Sequence, residues 1–176
     1  ENLDISNLTH LREKPLREPK FICDVQLGRL AKYLRMLGFD TLYNNSFKVK
    51  EVIKISNEEK RTILTKNVFL LKNSLVSRGY WIRSQDPHNQ IIQVIHFSDL
   101  LSRIKLFYRC SECNGLLELV SKDLILDKLL PNTKKYFNEF HKCNSCDKIF
   151  WKGSHYKKIL DLSENVRKDV EEMYGK

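Results

Sequence analysis

Two cysteine pairs constrain this chain more than any other feature of its sequence. Cys110 and Cys113 form the first pair, Cys143 and Cys146 form the second, and 29 residues separate the two. A two-residue spacing lets a tight turn aim both sulfurs at one metal ion, and two such turns complete a tetrahedral structural zinc site. Disulfides or a thioredoxin-like redox motif are the alternatives, but a redox motif needs one pair at a strand-to-helix turn. The pattern therefore predicts a zinc ribbon.

Cysteine usage and hydropathy both predict a protein of the cytoplasm. Four thiols kept reduced for a metal indicate an intracellular compartment. Cys23, the fifth cysteine, lies in a short apolar run and is predicted to be a buried core thiol. No apolar run approaches the roughly 18 residues that a membrane-spanning helix needs, so we expect no membrane partner.

The charge balance favours a polyanionic partner such as RNA. The chain has 31 lysines and arginines against 22 aspartates and glutamates, a formal net charge of +9. If four thiolates hold one zinc ion, that site carries −2 and the balance falls to about +7, which is still basic. Excess positive charge promotes association with nucleic acids. A merely basic, soluble surface is the alternative.

Strand and helix patterns alternate over residues 21–106, which predicts an α/β domain. Short apolar runs predict four strands, FICDV, FDTLY, TILT and YWIR, and leucines at three- and four-residue steps predict a helix after the first of them. Asp86 and Pro87 have the form of a helix cap and first turn, and they open a helix expected to run through Leu101. Such alternation predicts a mostly parallel sheet flanked by helices.

The remaining segments are assigned by composition. Residues 1–20 hold prolines among charges and predict a linker or lead-in. Residues 107–156 hold the predicted zinc ribbon, with a β-prone segment, LLELVSKDLILDKLL, between the cysteine pairs. Residues 157–176 predict a C-terminal helix with an apolar face.

Ligands of an open parallel sheet bind beyond the carboxyl ends of its strands. Asp24 follows the first predicted strand and Asn67 the third, while Glu51 and Asp86 stand in or before nearby helices. Carboxylates at this edge would bind Mg²⁺ or Mn²⁺, which activates water for phosphodiester hydrolysis. The alternatives are a helix cap for Asp86 and a solvated helix face for Glu51. Asp40 precedes its strand, so we expect it at the opposite edge in a structural role.

Five segments in register resemble a known family. They are FICDVQLGRLAKYLRMLGFDTLY, TILTKNVFLL, GYWIRSQDPHNQ, RCSECNGLL and CNSCDKIFWKGSHY, and the resemblance that they carry covers nearly everything from about Pro15 to Tyr156. The segments resemble the PIN-like ribonuclease domains of the Mut-seven C-terminal family. The resemblance implies a PIN-like α/β domain, a four-cysteine zinc ribbon and metal-dependent cleavage of RNA. It also implies, for bacterial members, a frequent ubiquitin-like domain upstream.

This sequence departs from that family's pattern at the expected catalytic edge. The family usually has a histidine where Gln26 stands, acids near Lys48 and Val49, and an aspartate where Asn67 stands. Asp24 alone clearly matches. An amide brings no charge to a divalent cation, so hydrolysis is expected to be weakened or lost, through natural decay or through an engineered change at residue 67.

Two alternatives stay open. The first is an active Mg²⁺- or Mn²⁺-dependent ribonuclease that uses Asp24 with Asp86 or Glu51. The second is a non-catalytic module that interacts with the ribosome or another ribonucleoprotein.

Basic and aromatic side chains predict RNA contacts that need no catalytic metal. The candidates are Arg29, Lys32, Arg35, Lys66 and Arg83 in the first domain, and Arg109, Trp151, Lys152, His155 and Tyr156 in the ribbon. Cations contact phosphates, and aromatic rings stack on bases for about 1–3 kcal/mol each. A solvated surface is the alternative for each cation, and packing is the alternative for each ring.

Overall fold

A four-stranded parallel sheet organises the first half of the chain. The computed structural model describes residues 19–175. Strands β1 (Lys20–Cys23), β2 (Asp40–Leu42), β3 (Thr62–Thr65) and β4 (Gly79–Trp81) lie in the order β2-β1-β3-β4, and every neighbouring pair is parallel. The predicted α/β architecture with a parallel sheet is confirmed.

Helices connect successive strands, as a parallel sheet requires. They are α1 (Gly28–Met36), α2 (Val49–Glu59) and α3 (Val68–Leu71), and a fourth helix, α4 (Pro87–Phe97), follows β4. Asp86 caps α4 as predicted, since its carboxylate accepts a hydrogen bond from the Asn89 N–H at 3.0 Å. The prediction that α4 runs through Leu101 is wrong. The helix ends at Phe97, Asp99 takes a left-handed conformation, and Leu101 begins a separate 3₁₀ turn.

The sheet is buried on both faces. Because successive side chains of a strand point to opposite faces, Phe21 and Cys23 pack towards α1 and α4, while Ile22 packs towards α2 and α3. All three are at most 1% exposed. The prediction of a buried Cys23 is therefore confirmed, and burial raises the pKa of its thiol.

A second, antiparallel sheet carries the cysteine pairs. Its strands, in the order β5-β6-β7, are β5 (Leu117–Val120), β6 (Phe140–Cys143) and β7 (Ile149–Trp151). The expectation of strand throughout LLELVSKDLILDKLL is wrong beyond Val120. Residues Lys122–Lys128 form 3₁₀ turns, because the segment buries Ile125 and Leu129, four residues apart, rather than alternate side chains. A short helix, α5 (Pro131–Tyr136), follows.

The last helix returns to the first sheet. Helix α6 (Ser154–Tyr174) begins three residues before the predicted segment, and its Val166 and Val170 are buried in the same core as α4. His88 Nε2 lies 2.6 Å from Asp169 Oδ2 and links the two helices. No helix within residues 19–175 is long and apolar enough to cross a membrane.

The predicted domain limits remain predictions. The lead-in over residues 1–20 lies outside the described residues except at its last two positions, and β1 already begins at Lys20.

Candidate active site and metal centre

Asp24 lies at the carboxyl end of the parallel sheet, where the resemblance places catalysis. Its N–H donates to the Leu64 carbonyl at 2.9 Å, so the β1–β3 ladder continues one residue past β1. The hydroxyl of Thr65, the last residue of β3, donates to Asp24 Oδ2 at 2.7 Å. Because Thr65 is in register with Trp81 of β4, one row across the sheet runs from Asp24 through Thr65 to Trp81.

The amide at residue 67 serves as a helix cap. Asn67 Oδ1 accepts a hydrogen bond from the Phe69 N–H at 3.0 Å, and the Asn67 N–H donates to Thr65 Oγ1 at 2.9 Å. Asparagine and aspartate cap helices about equally well, so the cap itself does not require the acid. The side chain that replaces the expected acid is thus directed at the first turn of α3.

The two supporting acids have the same kind of local partner. Asp86 accepts from the Asn89 N–H, and Glu51 Oε2 accepts from the Lys48 N–H at 2.7 Å, at the start of α2. Between residues 19 and 175, the four cysteines are the only group of three or more His, Cys, Asp or Glu side chains placed to hold one metal ion. Catalytic roles for Asp24, Asn67, Asp86 and Glu51 stay predictions.

The four cysteine sulfurs converge on one point. The sulfurs of Cys110 and Cys146 lie 3.7 Å apart, those of Cys113 and Cys143 lie 3.3 Å apart, and all four lie within 4.8 Å of one another. These separations are too long for disulfides, whose sulfurs are about 2.05 Å apart. Tetrahedral zinc with bonds of about 2.3 Å needs sulfurs roughly 3.8 Å apart, so the donor set fits that geometry. The cluster can hold a metal ion and is consistent with a zinc ribbon.

Backbone amides donate hydrogen bonds to two of these thiols. Gly115 N–H donates to Cys113 Sγ at 3.5 Å, and Ser145 N–H donates to Cys143 Sγ at 3.4 Å. Burial alone would raise the pKa of Cys143, but hydrogen bonds from the Ser145 and Cys146 amides and with the Cys113 and Cys146 thiols together lower that pKa to about 7. Burial raises the pKa values of Cys110 and Cys113. Since the thiolate is the ligand form, Cys143 is the thiol that this environment prepares for a metal ion.

Arg35 is buried and cannot contact RNA as predicted. The residue is 5% exposed, its Nε donates to the Thr41 carbonyl at 2.8 Å, and its Nη1 donates to the Glu112 carbonyl at 2.7 Å. Burial lowers its pKa. The helical pattern placed Arg35 on the polar face of α1, but the turn between Cys110 and Cys113 covers that face. The arginine therefore ties the ribbon to the first domain.

Asp40 and Arg109 complete this junction. Asp40 Oδ1 accepts from Arg61 at 2.6 Å and from Asn114 Nδ2 at 2.8 Å, while its Oδ2 lies 3.3 Å from Arg109 Nη2. Burial opposes ionisation of Asp40, but hydrogen bonds from Arg61 and Asn114 outweigh it and lower the pKa. The expected structural role of Asp40 is confirmed. The guanidinium of Arg109 is directed at Asp40 and the Asn114 carbonyl, and its predicted contact with RNA stays a prediction.

The other predicted cations lie on the surface. Arg29 is exposed, and Lys32, Lys66 and Lys152 donate to Glu112, Gln85 and Glu139 respectively, at 2.8, 2.8 and 3.0 Å. Arg83 lies over the Trp81 ring, 5.2 Å from its centroid. All of these cations remain available to a ligand, because the surface contacts that they would have to give up are weak.

The predicted ribbon aromatics are partly occupied by packing. Trp151 is half-buried against Phe137 and Phe140, and Tyr156 meets Phe107 edge to face at 5.0 Å. Their faces are therefore only partly available for stacking on a base. His155 is exposed, and its role in RNA binding stays a prediction.

Two aromatic rings at the carboxyl edge of the parallel sheet escaped the sequence reasoning. Phe69 is 82% exposed with Lys72 Nζ 5.7 Å from its ring centroid, and Trp81 is 43% exposed beneath Arg83. Phe69 lies in the apolar segment VFLL, and Trp81 lies in YWIR, which predicts a strand. The signal that could have found Trp81 is its place at the end of the fourth predicted strand of the parallel sheet. That strand, β4, lies at the edge of the sheet and has a neighbouring strand on one side only.

Comparison with known proteins identifies one family. The model of the Mut7-C RNAse domain matches residues 19–162, which is more than half of the chain. No curated protein matches the chain, and no solved structure does.

Proposed function

We propose that this chain, which belongs to the Mut7-C RNAse domain family, binds RNA across the carboxyl edge of its parallel sheet and hydrolyses it slowly or not at all. Membership of the family suggests an RNA-related nuclease function. The weakened hydrolysis is inferred from the side chains that this chain places at the edge.

The observation that carries the proposal is how few acids face the edge. Within residues 19–175, Asp24 is the one carboxylate that directly follows a strand of the parallel sheet. Asn67, Glu51 and Asp86 each accept a hydrogen bond from a nearby backbone N–H. Divalent cations in hydrolytic sites are held by several oxygen ligands, of which carboxylates supply the charge. One carboxylate with an amide neighbour holds Mg²⁺ or Mn²⁺ far more weakly.

Binding of RNA draws on a different set of groups. Trp81 offers an exposed ring face in the same row as Asp24, and Arg83 and Lys66 supply positive charge nearby. Phe69 adds a second exposed ring one turn beyond β3. Rings that stack on bases together with cations that contact phosphates are the usual means of binding single strands without sequence preference.

We infer that zinc is the metal of the cysteine cluster and that its role is structural. Four thiolates fill a tetrahedral shell, which leaves no open position for a substrate or water. Cysteines that must stay reduced also fit a cytoplasmic location.

The proposal is tested by measuring binding and cleavage of one fluorescent single-stranded RNA. Anisotropy should report binding without a divalent cation, and the affinity should fall with salt with a logarithmic slope of about 0.7 per phosphate contacted. Trp81→Ala should weaken binding by about 5- to 150-fold, since stacking is worth about 1–3 kcal/mol per base. Leu119→Ala, which removes an exposed apolar side chain of the ribbon, is the matched control and should change affinity less than twofold.

Cleavage of the same RNA in Mn²⁺ distinguishes a chain with weak or no hydrolysis from an active ribonuclease. The native chain and Asp24→Asn should be equally slow. Asn67→Asp keeps the α3 cap and adds a carboxylate beside Asp24, so it should cleave faster than the native chain. Brisk native cleavage that Asp24→Asn abolishes would instead establish the active ribonuclease. Binding that ignores both salt and Trp81 would refute the proposed RNA surface.

A further inference from the structure

A cavity of about 220 Å³ lies at the opposite, amino-terminal edge of the parallel sheet, where the first domain meets the ribbon. Five charged residues line it: Lys20, Asp40, Arg103, Lys105 and Arg109. Strand β1 separates it from the catalytic edge, and at about 3.3 Å per residue the Cα atoms of Lys20 and Asp24 lie roughly 13 Å apart. The cavity is therefore distinct from the edge that holds Asp24.

The lining keeps an uncompensated positive charge. The only acid in it, Asp40, is already neutralised by Arg61 and Arg109, at 2.6 and 3.3 Å. Lys20, Arg103 and Lys105 form no ion pair with any acid of the described residues. Three like charges around one small cavity repel each other, so an anion that enters is favoured.

The cations are partly fixed in place. Lys105 Nζ lies 5.3 Å and the Arg109 guanidinium 5.7 Å from the centroid of the Tyr108 ring, which also lines the cavity. The backbone N–H of Lys105 donates to the Leu37 carbonyl at 3.0 Å. Groups held before a ligand arrives lose less freedom when it binds.

We propose that this cavity binds a phosphate group. Lysine ammonium groups and an arginine guanidinium are the side chains that hold phosphate oxygens by charge-assisted hydrogen bonds. The volume is below the roughly 300–1,000 Å³ of sites for drug-sized ligands, so it suits a phosphate with its sugar rather than a dinucleotide. The phosphate comes from a free nucleotide or from an RNA chain. The inference does not rest on the proposed function, because it uses none of the residues at the Asp24 edge.

The test is a titration of the ¹⁵N-labelled full chain at low salt, followed by amide chemical shifts. The probes are inorganic phosphate, adenosine monophosphate, and an RNA with or without a 5′-phosphate. Saturable shifts should appear at Lys20 and across residues 102–109. Arg103→Ala with Lys105→Ala should weaken binding by about five- to tenfold, because single exposed contacts with a cation are weak.

Two controls make the titration decisive. Lys50→Ala with Lys158→Ala removes the same charge from exposed helix positions and should change the affinity less than twofold. Lys105→Gln alters one exposed side chain with no ion-pair partner in the described chain, so it should fold normally and still weaken binding.

The outcomes of the titration either overturn the phosphate site or identify the source of the phosphate. Absence of saturable shifts at residues 102–109 with every probe up to about 10 mM would overturn the proposal, and so would equal weakening in the control pair. Saturation by the mononucleotide identifies a nucleotide as the source, and saturation by RNA alone identifies a polynucleotide. Trp81→Ala should leave these shifts unchanged, so failure of the RNA surface and failure of this cavity are distinguishable.

Discussion

Removal of the metal ion that we propose for the four cysteines should unfold the ribbon and leave the parallel sheet folded. The ribbon's own hydrophobic core has three buried side chains, Ile125, Leu129 and Phe140. At about 1.5–3 kcal/mol for each buried side chain, they contribute roughly 5–9 kcal/mol before the entropy of ordering the chain is subtracted. Structural zinc binding is worth about 10–16 kcal/mol at neutral pH, so the metal outweighs the core.

The first domain has no such dependence. Its main core joins the sheet to α1, α4 and the later part of α6, and it contains no residue of the ribbon. Loss of the ribbon would remove the Ser111 and Glu112 carbonyls that Arg35 now contacts, and the Asn114 and Arg109 side chains that contact Asp40. The expected cost to the first domain is about 1–3 kcal/mol for each group that stays buried without a new partner.

Hydrogen exchange with mass spectrometry measures both parts at once. After chelation, confirmed by metal analysis, amides of β5–β7 should exchange freely while those of β1 and β3 stay protected. Cys113→Ala should reproduce the loss of protection in β5–β7 without chelator, because it removes one of the four proposed metal ligands. Since Cys113 is exposed, the substitution leaves no cavity. Cys23→Ala is the matched cysteine control and should keep the metal. Full protection of β5–β7 in verified metal-free protein would refute the reasoning.

Three further predictions concern the junction around Asp40. Asp40→Asn should lower the free energy of unfolding by about 2 kcal/mol, because the buried Arg61 loses its contact with the Asp40 carboxylate and keeps only Glu59, at 2.7 Å, as an acidic partner. The melting temperature should fall by roughly 4–8 °C. Since the folded pKa of Asp40 is lowered, its contribution is complete above the unfolded pKa of about 3.9 and is lost as pH falls through the folded pKa. The difference in free energy of unfolding between the native and Asp40→Asn chains, measured by denaturant unfolding, should therefore narrow below about pH 4. A difference that stays constant with pH would contradict a stabilising ion pair between Asp40 and Arg61. Gly38→Ala should cost about 2–4 kcal/mol in the same assay, because φ is +95° and a Cβ would lie 2.3 Å from the Lys105 carbonyl oxygen; a cost below about 0.5 kcal/mol would contradict the close approach.

The parallel sheet was predictable because its signals are local. The apolar run TILT became β3 at the predicted residues, and the Asp86 and Pro87 pair began α4. The cysteine cluster was predictable because each two-residue spacing predicts a turn that aims two sulfurs at one point. Each strand, cap and cysteine turn is specified by a few consecutive residues.

Contacts between distant segments were not predictable in the same way. Arg35 lies on the polar face of α1 by periodicity, and only the approach of Glu112, 77 positions later, buries it. Trp81 stands in an apolar run, yet its strand is at the edge of the sheet and its ring remains exposed. Periodicity describes one element, whereas burial depends on which other elements cover it.

The most direct test of the account compares RNA binding and RNA cleavage in the same preparation of native chain and Asp24→Asn, with Mn²⁺ in excess. Tight, salt-sensitive binding by both proteins, with cleavage rates that do not differ, is the predicted result. A native cleavage rate well above that of Asp24→Asn would contradict the central claim that this edge has too little negative charge to support hydrolysis.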